Sequence, residues 1–600
     1  MQTQPLNRHR VTLLWIFLSA LILRIAWIVQ YQASPFFDTP SLDFTFFDQR
    51  AREILQGAFF SGTYLFSPLY PLFLAVIYKI FGTDLFFPRL VQAVLGAFLV
   101  FPIYGIAAFA FNRRTALMAA IICAVYLPLI YYDGILMATT LHVFCLVVSA
   151  ACLAGTSSWK RIVSAGLLMG VVLLAAPNYL IVMAAAALWL LTCSGVRFRK
   201  SMAYAAVYIA CALAVVSPIT VYHALKDGEF VFVAPHGGIN FYLGNHDQAT
   251  GTYMSIPGIS DYPGQQALDS KKIASEALGR PATNAEVSTY WANKSLEFLK
   301  KDPVAFIALQ GRKIALFWNA FEIPSEYGLD FDSQFHSILR FPLIRFGWIA
   351  PLALVGLIFL LFTPNKKKAL LPAFMLIGTM AAVIVFFVHA RYRIPATPWV
   401  IMFASFCISE IIRFIQRRRW RVLGSIGLLL VFATGFVYQT LEERNDLPGW
   451  FNRAQIFLEK GDTESAEACL QEILKQDNSM KTWFLLGLIQ MNTGRVSEAE
   501  TSFQNVLVQN PDHYEALLNL GLVYTEKRQY ESAQRLLERA VRLYPDLTQA
   551  RMALAVVYLE LDQFEKALDV LKNIKIDDLS MEQKTRLDHI VKRIEMNLER

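Results

Sequence analysis

Charged side chains are scarce in this chain: Asp, Glu, Lys and Arg make up 17% of its 600 residues, against 55% hydrophobic ones. A water-soluble protein cannot hide that much apolar surface, which excludes an ordinary soluble globular class. Cysteine is scarce too. Six of the seven lie in apolar segments and Cys469 stands alone in the tail. No spacing among them fits a disulfide framework or a zinc site. The first apolar stretch, Val11–Gln30, lacks the small-residue cleavage site of a signal peptide and is too long for one, so it reads as an uncleaved first span behind Arg8, His9 and Arg10. There is no internal duplication of the kind that many transporters show.

What is present is a series of apolar runs of the length that crosses a bilayer, roughly 20 residues each. The expected spans are 11–30, 88–111, 115–131, 134–155, 161–177, 179–195, 201–222, 341–363, 369–388, 395–415 and 421–440, eleven in all. Short basic clusters fall between alternate spans: Arg113 and Arg114; Lys160 and Arg161; Arg197, Arg199 and Lys200; Lys366, Lys367 and Lys368; Arg417, Arg418, Arg419 and Arg421. Cytoplasmic loops carry such clusters, so the N-terminus is expected inside and the chain after residue 440 outside. Ser67–Gly82 is apolar but short, and reads as an interfacial or half-buried helix. Pro395 and Pro398 lie in the tenth span, where neighbouring groups can re-satisfy the backbone. Residues 1–440 then form a membrane domain with an outer loop at 31–87 and a large one at 223–340.

The charge is unevenly spread. Residues 447–600 hold 19 basic and 24 acidic groups; the rest of the chain holds 36 and 23. Because that basic excess sits in short loops, it reports orientation rather than nucleic-acid binding. The tail repeats with a period near 34: Trp483, Leu486, Gly487, Gly494, Ala499, Phe503 and Pro511, then Leu517, Leu520, Gly521, Tyr524, Ala533, Leu537, Ala540 and Pro545. A weaker unit carries Leu554, Ala555, Tyr558, Ala567 and Leu571, and an earlier one starts near Leu447 with Trp450, Ala454, Gly461 and Ala466. This resembles the tetratricopeptide pattern and predicts an α-solenoid over 447–600 closed by a capping helix at Met581–Arg600. Such an array either docks a protein partner or serves as a spacer.

Polar residues gather in the segments expected outside. In "LDFTFFDQRAREILQG" (42–57), Asp43 and Asp48 are about 140° apart on a helix, too far to act as a tight carboxylate pair. Phe47, Ala51, Ile54 and Leu55 share one side of an amphipathic surface helix, which leaves Asp43 just before it. There Asp43 either caps the helix or serves as a general base at headgroup level. Asp133 sits in a short outer turn before Gly134. His236, Gly237, Gly238, Asn240, Asn245, His246 and Asp247 form an unusual loop stretch. Its Asn and His side chains suit sugar or acceptor hydroxyls, or else the loop merely packs over the spans. His236, His246 and Asp247 match no standard metal spacing; no cofactor is expected, and a divalent metal stays open. In "HARYR" (389–393), Arg391 and Arg393 either anchor at headgroups or hold an anion.

These motifs carry a resemblance. "LDFTFFDQRAREILQG" with "FSPLYPLFLAVIYKIFG", then "YLPLIYYDGILMATTLHVF", "HGGINFYLGNHDQATGTY", "YWANKSLEFLKKDPVAF" with "KIALFWNAFEIP", and "FFVHARYRIPATPW" come in the order seen in GT-C glycosyltransferases. They resemble in particular the bacterial family-39, protein mannosyltransferase-like members, some of which carry tetratricopeptide tails. The resemblance covers most of residues 10–405. It departs at "AAPNYL", where Ala176 stands in place of the family's usual Arg. The Glu-Lys-Pro-Pro-Leu of lipid A aminoarabinose transferases is missing as well. The resemblance implies a mostly α fold and transfer of a sugar from a polyprenyl-phosphate donor to a protein or polymer acceptor, outside a bacterial cytoplasmic membrane. It implies Asp43 as base, with Asp48 as runner-up and Asp133 as a second acid. Arg391, Tyr392 and Arg393 would hold the donor phosphate. The competing reading is a non-catalytic scaffold or transporter for envelope polysaccharide assembly. A reporter active only outside the cytoplasm, fused after Thr440, is expected to be active; cytoplasmic activity would overturn the parity of the spans.

Overall fold

The computed structural model describes residues 5–39, 43–57, 67–155, 158–226, 228–260, 263–325, 328–363, 366–442, 445–545, 547–572, 574 and 580–598. Parts of the outer loop expected at 31–87, namely 40–42 and 58–66, lie outside the described residues, as do the side chains of Arg8 and His9. The described residues form helices, with one isolated parallel bridge between Tyr126 and Ile344. The chain divides into two compact units, Met1–Asn445 and Asp446–Arg600.

Among the described residues of the first unit, six helices are long and apolar enough to cross a membrane: Arg10–Tyr31, Phe86–Ala110, Phe198–Lys226, Lys366–Ile384, Ala390–Gln416 and Trp420–Val437. Shorter apolar helices, among them Thr139–Leu153, Pro177–Thr192 and Phe346–Leu360, occupy other expected spans. The run expected to cross at 115–131 is broken. Its first helix, Arg113–Ala124, ends where the Leu127 amide turns to the Ile344 carbonyl at 2.9 Å, and Leu127–Gly134 begins a new direction. Leu69–Phe81 has 13 residues, about 20 Å at a helical rise, well short of a hydrocarbon core of about 30 Å. Ser67 Oγ, just before it, donates to the Leu174 carbonyl.

One buried charge pair ties the first long helix to the turn at Asp133. Arg24, wholly buried on the first long helix, donates from Nε to Asp133 Oδ2 at 2.6 Å and from Nη1 to the Ala20 and Ala124 carbonyls. Thr140 Oγ1 donates to the other Asp133 oxygen at 2.8 Å. An unpaired charge at this depth would cost several kcal/mol, about 3 or more on insertion scales. The glycine at 96 makes room for the pair, since a Cβ there would overlap the Asp133 carboxylate.

The second unit stacks four helix pairs: Leu447–Glu459 with Thr463–Leu474, Met480–Asn492 with Val496–Gln509, Tyr514–Glu526 with Tyr530–Leu543, and Thr548–Glu560 with Phe564–Leu571. Met581–Leu598 follows, burying Leu587, Ile590 and Ile594 against the last pair. Small residues face large ones across each seam: a Cβ on Gly487 would press on Phe503, and one on Gly521 on Leu537. One backbone feature recurs. Gly461, Gly494, Arg528 and Asp562 all adopt positive φ, between 57° and 75°, at successive steps of 33, 34 and 34 residues. The next amide in each repeat, from Asp462, Arg495, Gln529 and Gln563, donates back across the turn at 2.8 Å. This is a left-handed helix ending of the Schellman kind, which glycine meets without strain. Replacing Gly494 by Ala is therefore expected to destabilise the repeat unit by about 1–2 kcal/mol. Urea unfolding followed through Trp450 and Trp483 measures this; an unchanged midpoint would refute the turn assignment.

Candidate functional site

The helix Asp43–Leu55 docks on Leu69–Phe81: Phe44, Phe47, Ala51 and Ile54 pack against Tyr70, Leu74, Ala75 and Tyr78, with Leu136 closing the cluster. Leu55, expected on the same side, is instead 41% exposed, and Arg50 is buried, pairing with Glu53 at 2.6 Å. Asp48 sits on the flank. Its Oδ1 accepts from the Tyr78 hydroxyl at 2.7 Å and its Oδ2 from Arg52 Nε at 2.8 Å. One oxygen thus ties the two helices together and the other is held within its own helix.

Asp43, the first residue of this helix, points elsewhere. Its Oδ2 accepts from Arg391 Nη1 at 2.9 Å, across 348 positions of sequence. The two side chains retain 16% and 17% of their accessibility, so they line an opening rather than a core. Arg391 Nη2 donates to the Tyr392 hydroxyl at 3.1 Å, its guanidinium lies 4.9 Å from that ring, and Met137 Sδ is 3.9 Å from Nη1. Tyr253, Phe387 and His389 extend the aromatic wall beside Tyr392, with ring centroids between 5.5 and 6.2 Å apart. Burial, and then the charge of Arg391, push the His389 imidazole down to about 3. It stays neutral near pH 7, leaving Arg391 as the cation at this spot.

Arg393 does not join it. Two residues further along a helical turn, it faces the opposite way. Its Nη1 donates to the Phe317 and Asn319 carbonyls at 3.1 and 2.6 Å, and Nη2 pairs with Glu322 at 2.8 Å and reaches the Phe321 carbonyl. The Phe346 ring covers the guanidinium at 3.8 Å. With side-chain accessibilities of 2% and 5%, Arg393 and Glu322 are sealed. Burial pushes the Glu322 carboxyl up against the pull of Arg393. The expectation that Arg393 holds a donor phosphate is corrected: its donors are committed to the protein. Asp133 likewise does not reach the Asp43–Arg391 opening, because it is 1% exposed and locked to Arg24.

The stretch at 236–247 packs rather than opens. The helix Gly237–Gly244 begins after His236 and carries the half-buried Asn240. Ile239 and Leu243 pack with Trp291 and Phe387, and a Cβ on Gly244 would overlap the Phe386 carbonyl. Asn245 is wholly buried and fully used. It donates to the Phe241 and Val385 carbonyls at 2.8 Å each and accepts from Gln310 at 2.9 Å and Lys313 at 2.8 Å. Its expected part in sugar binding is corrected to anchoring the loop. His246 Nδ1 accepts from the Gln248 amide at 3.2 Å and lies 3.8 Å from Asp247, whose side chain is 73% exposed. Among the described residues no three His, Cys, Asp or Glu side chains are grouped to hold a metal ion.

Sequence reasoning missed Tyr253, Met137 and His389 as the walls of the opening, and Glu322 as the partner of Arg393. "HARYR" did hold one signal: two arginines separated by a single residue cannot face the same way on a helical turn.

With this geometry in place, the comparisons add a resemblance. The sequence profile of the dolichyl-phosphate-mannose-protein mannosyltransferase family matches residues 66–222, and that of the middle TPR-like domain of cilia and flagella-associated protein 70 matches residues 459–575. No curated protein matches the chain. Among solved structures, the apo oligosaccharyltransferase of Archaeoglobus fulgidus is similar at 13% identity and a TM-score of 0.41, over 76% of this chain and 59% of its own. AglB from the same organism, solved with an inhibitory peptide and a dolichol-phosphate, is similar at 14% identity and 0.40, over 75% and 58%. MamA (residues 41 to the end) from Desulfovibrio magneticus RS-1 is similar at 21% and 0.22, over 26% and 98%. The chain resembles a GT-C membrane glycosyltransferase with a C-terminal tetratricopeptide-like array.

Lys313 gives this region a pH dependence. It has no exposed surface, and burial pulls its ammonium down to about 7 from an ordinary 10.5. Between those values the unfolded chain holds a proton that the folded one has lost, so stability rises with pH across that window and the penalty is full below it. Lys313→Met is expected to flatten this rise, gaining on the parent at pH 6 and losing the gain by pH 10. Thermal unfolding at several pH values checks it; parallel profiles would contradict it.

Proposed function

We propose that the protein moves a sugar from a polyprenyl-phosphate donor to an acceptor hydroxyl or amide at the outer face of a bacterial cytoplasmic membrane, and that the repeats dock the acceptor or a partner protein. The observation that carries this reading is the Asp43–Arg391 contact at 2.9 Å. A carboxylate and a forked cation, each from a segment expected at the outer interface, meet at one partly open point.

The chemistry follows from what each group can do. Asp43 takes the proton from the acceptor as its oxygen or nitrogen bonds to the anomeric carbon. The bond from that carbon to the phosphate oxygen breaks, and the lipid phosphate leaves with the extra negative charge. Arg391 faces that charge with two N–H groups in a plane, geometry suited to phosphate. Tyr392 orients the guanidinium through its hydroxyl. In an inverting transfer the base and the leaving group lie on opposite sides of the sugar, so an arriving donor separates the two side chains. The phosphate replaces Asp43 on Arg391, and the carboxylate is released to act as base only when a donor is in place. Asp48, bonded to Tyr78 and Arg52, keeps the helix that presents Asp43 in position.

Asp43→Asn is expected to lower transfer by about 10²–10⁴-fold at normal membrane level, the usual contribution of a general base. Arg391→Lys, which keeps the charge but loses the fork, is expected to cost transfer as well, up to about 10²–10³-fold. Glycan analysis of envelope proteins and surface polymers, with and without each variant, reads the result. Unchanged glycosylation with Asp43→Asn would favour the scaffold reading.

A further inference from the structure

The helix Thr397–Gln416 has 20 residues, about 30 Å of length, which is the thickness of a hydrocarbon core. Arg391 lies just ahead of one end. At the other end the structure is hollow: a cleft of about 370 Å³ opens beside the helix ends at Ala110, Leu360 and Gln416. Phe111, Phe359, Phe362, Phe406 and Phe414 line it. One wall is the helix Trp420–Val437, which is thinly packed, with only Ile426 and Val437 buried. A Cβ on Gly424 or Gly427 of that helix would meet nothing within 4 Å.

Basic residues follow these helix ends in sequence. Arg413 lines the cleft and pairs with Glu410 at 2.5 Å. Arg113, Arg114, Arg417, Arg418, Arg419 and Arg421 follow the same helix ends, and Glu410 is the sole carboxylate within 105–125, 355–370 and 405–425. Interface anchoring accounts for arginines at helix ends, since each C-terminus carries partial negative charge. It does not account for a phenylalanine-lined cleft beside those ends.

We propose that this cleft binds one anionic glycerophospholipid from the leaflet opposite Asp43. An acyl chain fills the space between the phenylalanines, and the phosphate rests on Arg413 and the arginines that follow it. The apolar lining matches a hydrocarbon chain, and the excess of cations selects an anionic headgroup over a zwitterionic one. Held there, the lipid fills the seam along Trp420–Val437 and supplies the packing that this helix lacks. Nothing in this inference depends on sugar transfer.

The test is native mass spectrometry of the full chain in a non-ionic detergent, titrated with phosphatidylglycerol and phosphatidylcholine of matched chain length. One phosphatidylglycerol is expected to persist at energies that strip all other lipid, favoured over phosphatidylcholine about tenfold, the effect of one or two well-placed cations. Two variants should abolish that retention by different routes. Ser425→Phe fills the cleft. Arg413→Gln removes the cation that lines the cleft and leaves its phenylalanines in place. Equal retention of phosphatidylcholine, or persistence of phosphatidylglycerol on either variant, would overturn the proposal.

Discussion

The Arg393–Glu322 pair is the constraint on which the geometry around Arg391 depends. A guanidinium buried to 2% side-chain accessibility is tolerable only because a carboxylate, three backbone carbonyls and the face of Phe346 surround it. Removing one partner of such a pair typically costs about 3–5 kcal/mol, since the other charge is left uncompensated. The pair therefore fixes the segment at 388–393 in one register. The backbone agrees: the Val388 amide donates to the Gly251 carbonyl and the Ala390 amide to that of Ile323, both at 2.9 Å. With Arg393 turned inward, Arg391 has to face the opening. The segment 223–340 thus contributes to the site chiefly by clamping the short turn that presents one cation.

The same logic orders the rest of the membrane unit. Arg24 and Asp133, 109 positions apart, are paired where neither could exist alone. Around them Tyr70 donates to Gln92 at 2.7 Å, and Gln92 donates to the carbonyls of Asp133 and Ile135. Arg89 donates to the Gly134 and Phe37 carbonyls. This polar knot holds the turn at 133–138 against the first helices, and Leu136 and Met137 project from that turn toward Asp43 and Arg391. A charge network inside the helices thereby positions the apolar walls outside them.

Much of this was legible in the sequence, for physical reasons that differ from element to element. Apolar runs mark helices in lipid, and a 34-residue period marks stacked pairs, because both patterns reflect burial on one recurring face. Gly461 and Gly494 announce a left-handed turn; Arg528 and Asp562 do not, and only the register of the repeat identifies them. The break after Ala124 was hidden, since it arises from a backbone pairing with Ile344, more than 200 residues away. Asn245 was misread because an amide suited to a sugar hydroxyl is equally suited to two carbonyls and a buried lysine. Arg24 was a missed signal: an arginine in the middle of an apolar run requires a partner, and Asp133 is an acid embedded in another such run.

The two arginines of "HARYR" differ in a way that decides which of them suits a phosphate. Exchange of a ligand costs what the old contact was worth. Exposed ion pairs are worth about 0.2–1 kcal/mol, whereas breaking a sealed pair costs about 3–5 kcal/mol. The Asp43–Arg391 pair, at 16–17% accessibility, lies between the two cases; Arg393–Glu322, at 2–5%, is the second. An arriving dianionic group would repay the opening of the outer pair with a charge-assisted fork of hydrogen bonds, and could not repay the dismantling of the inner one. One arginine is thus cheap to recruit because its neighbour two residues on is costly to move.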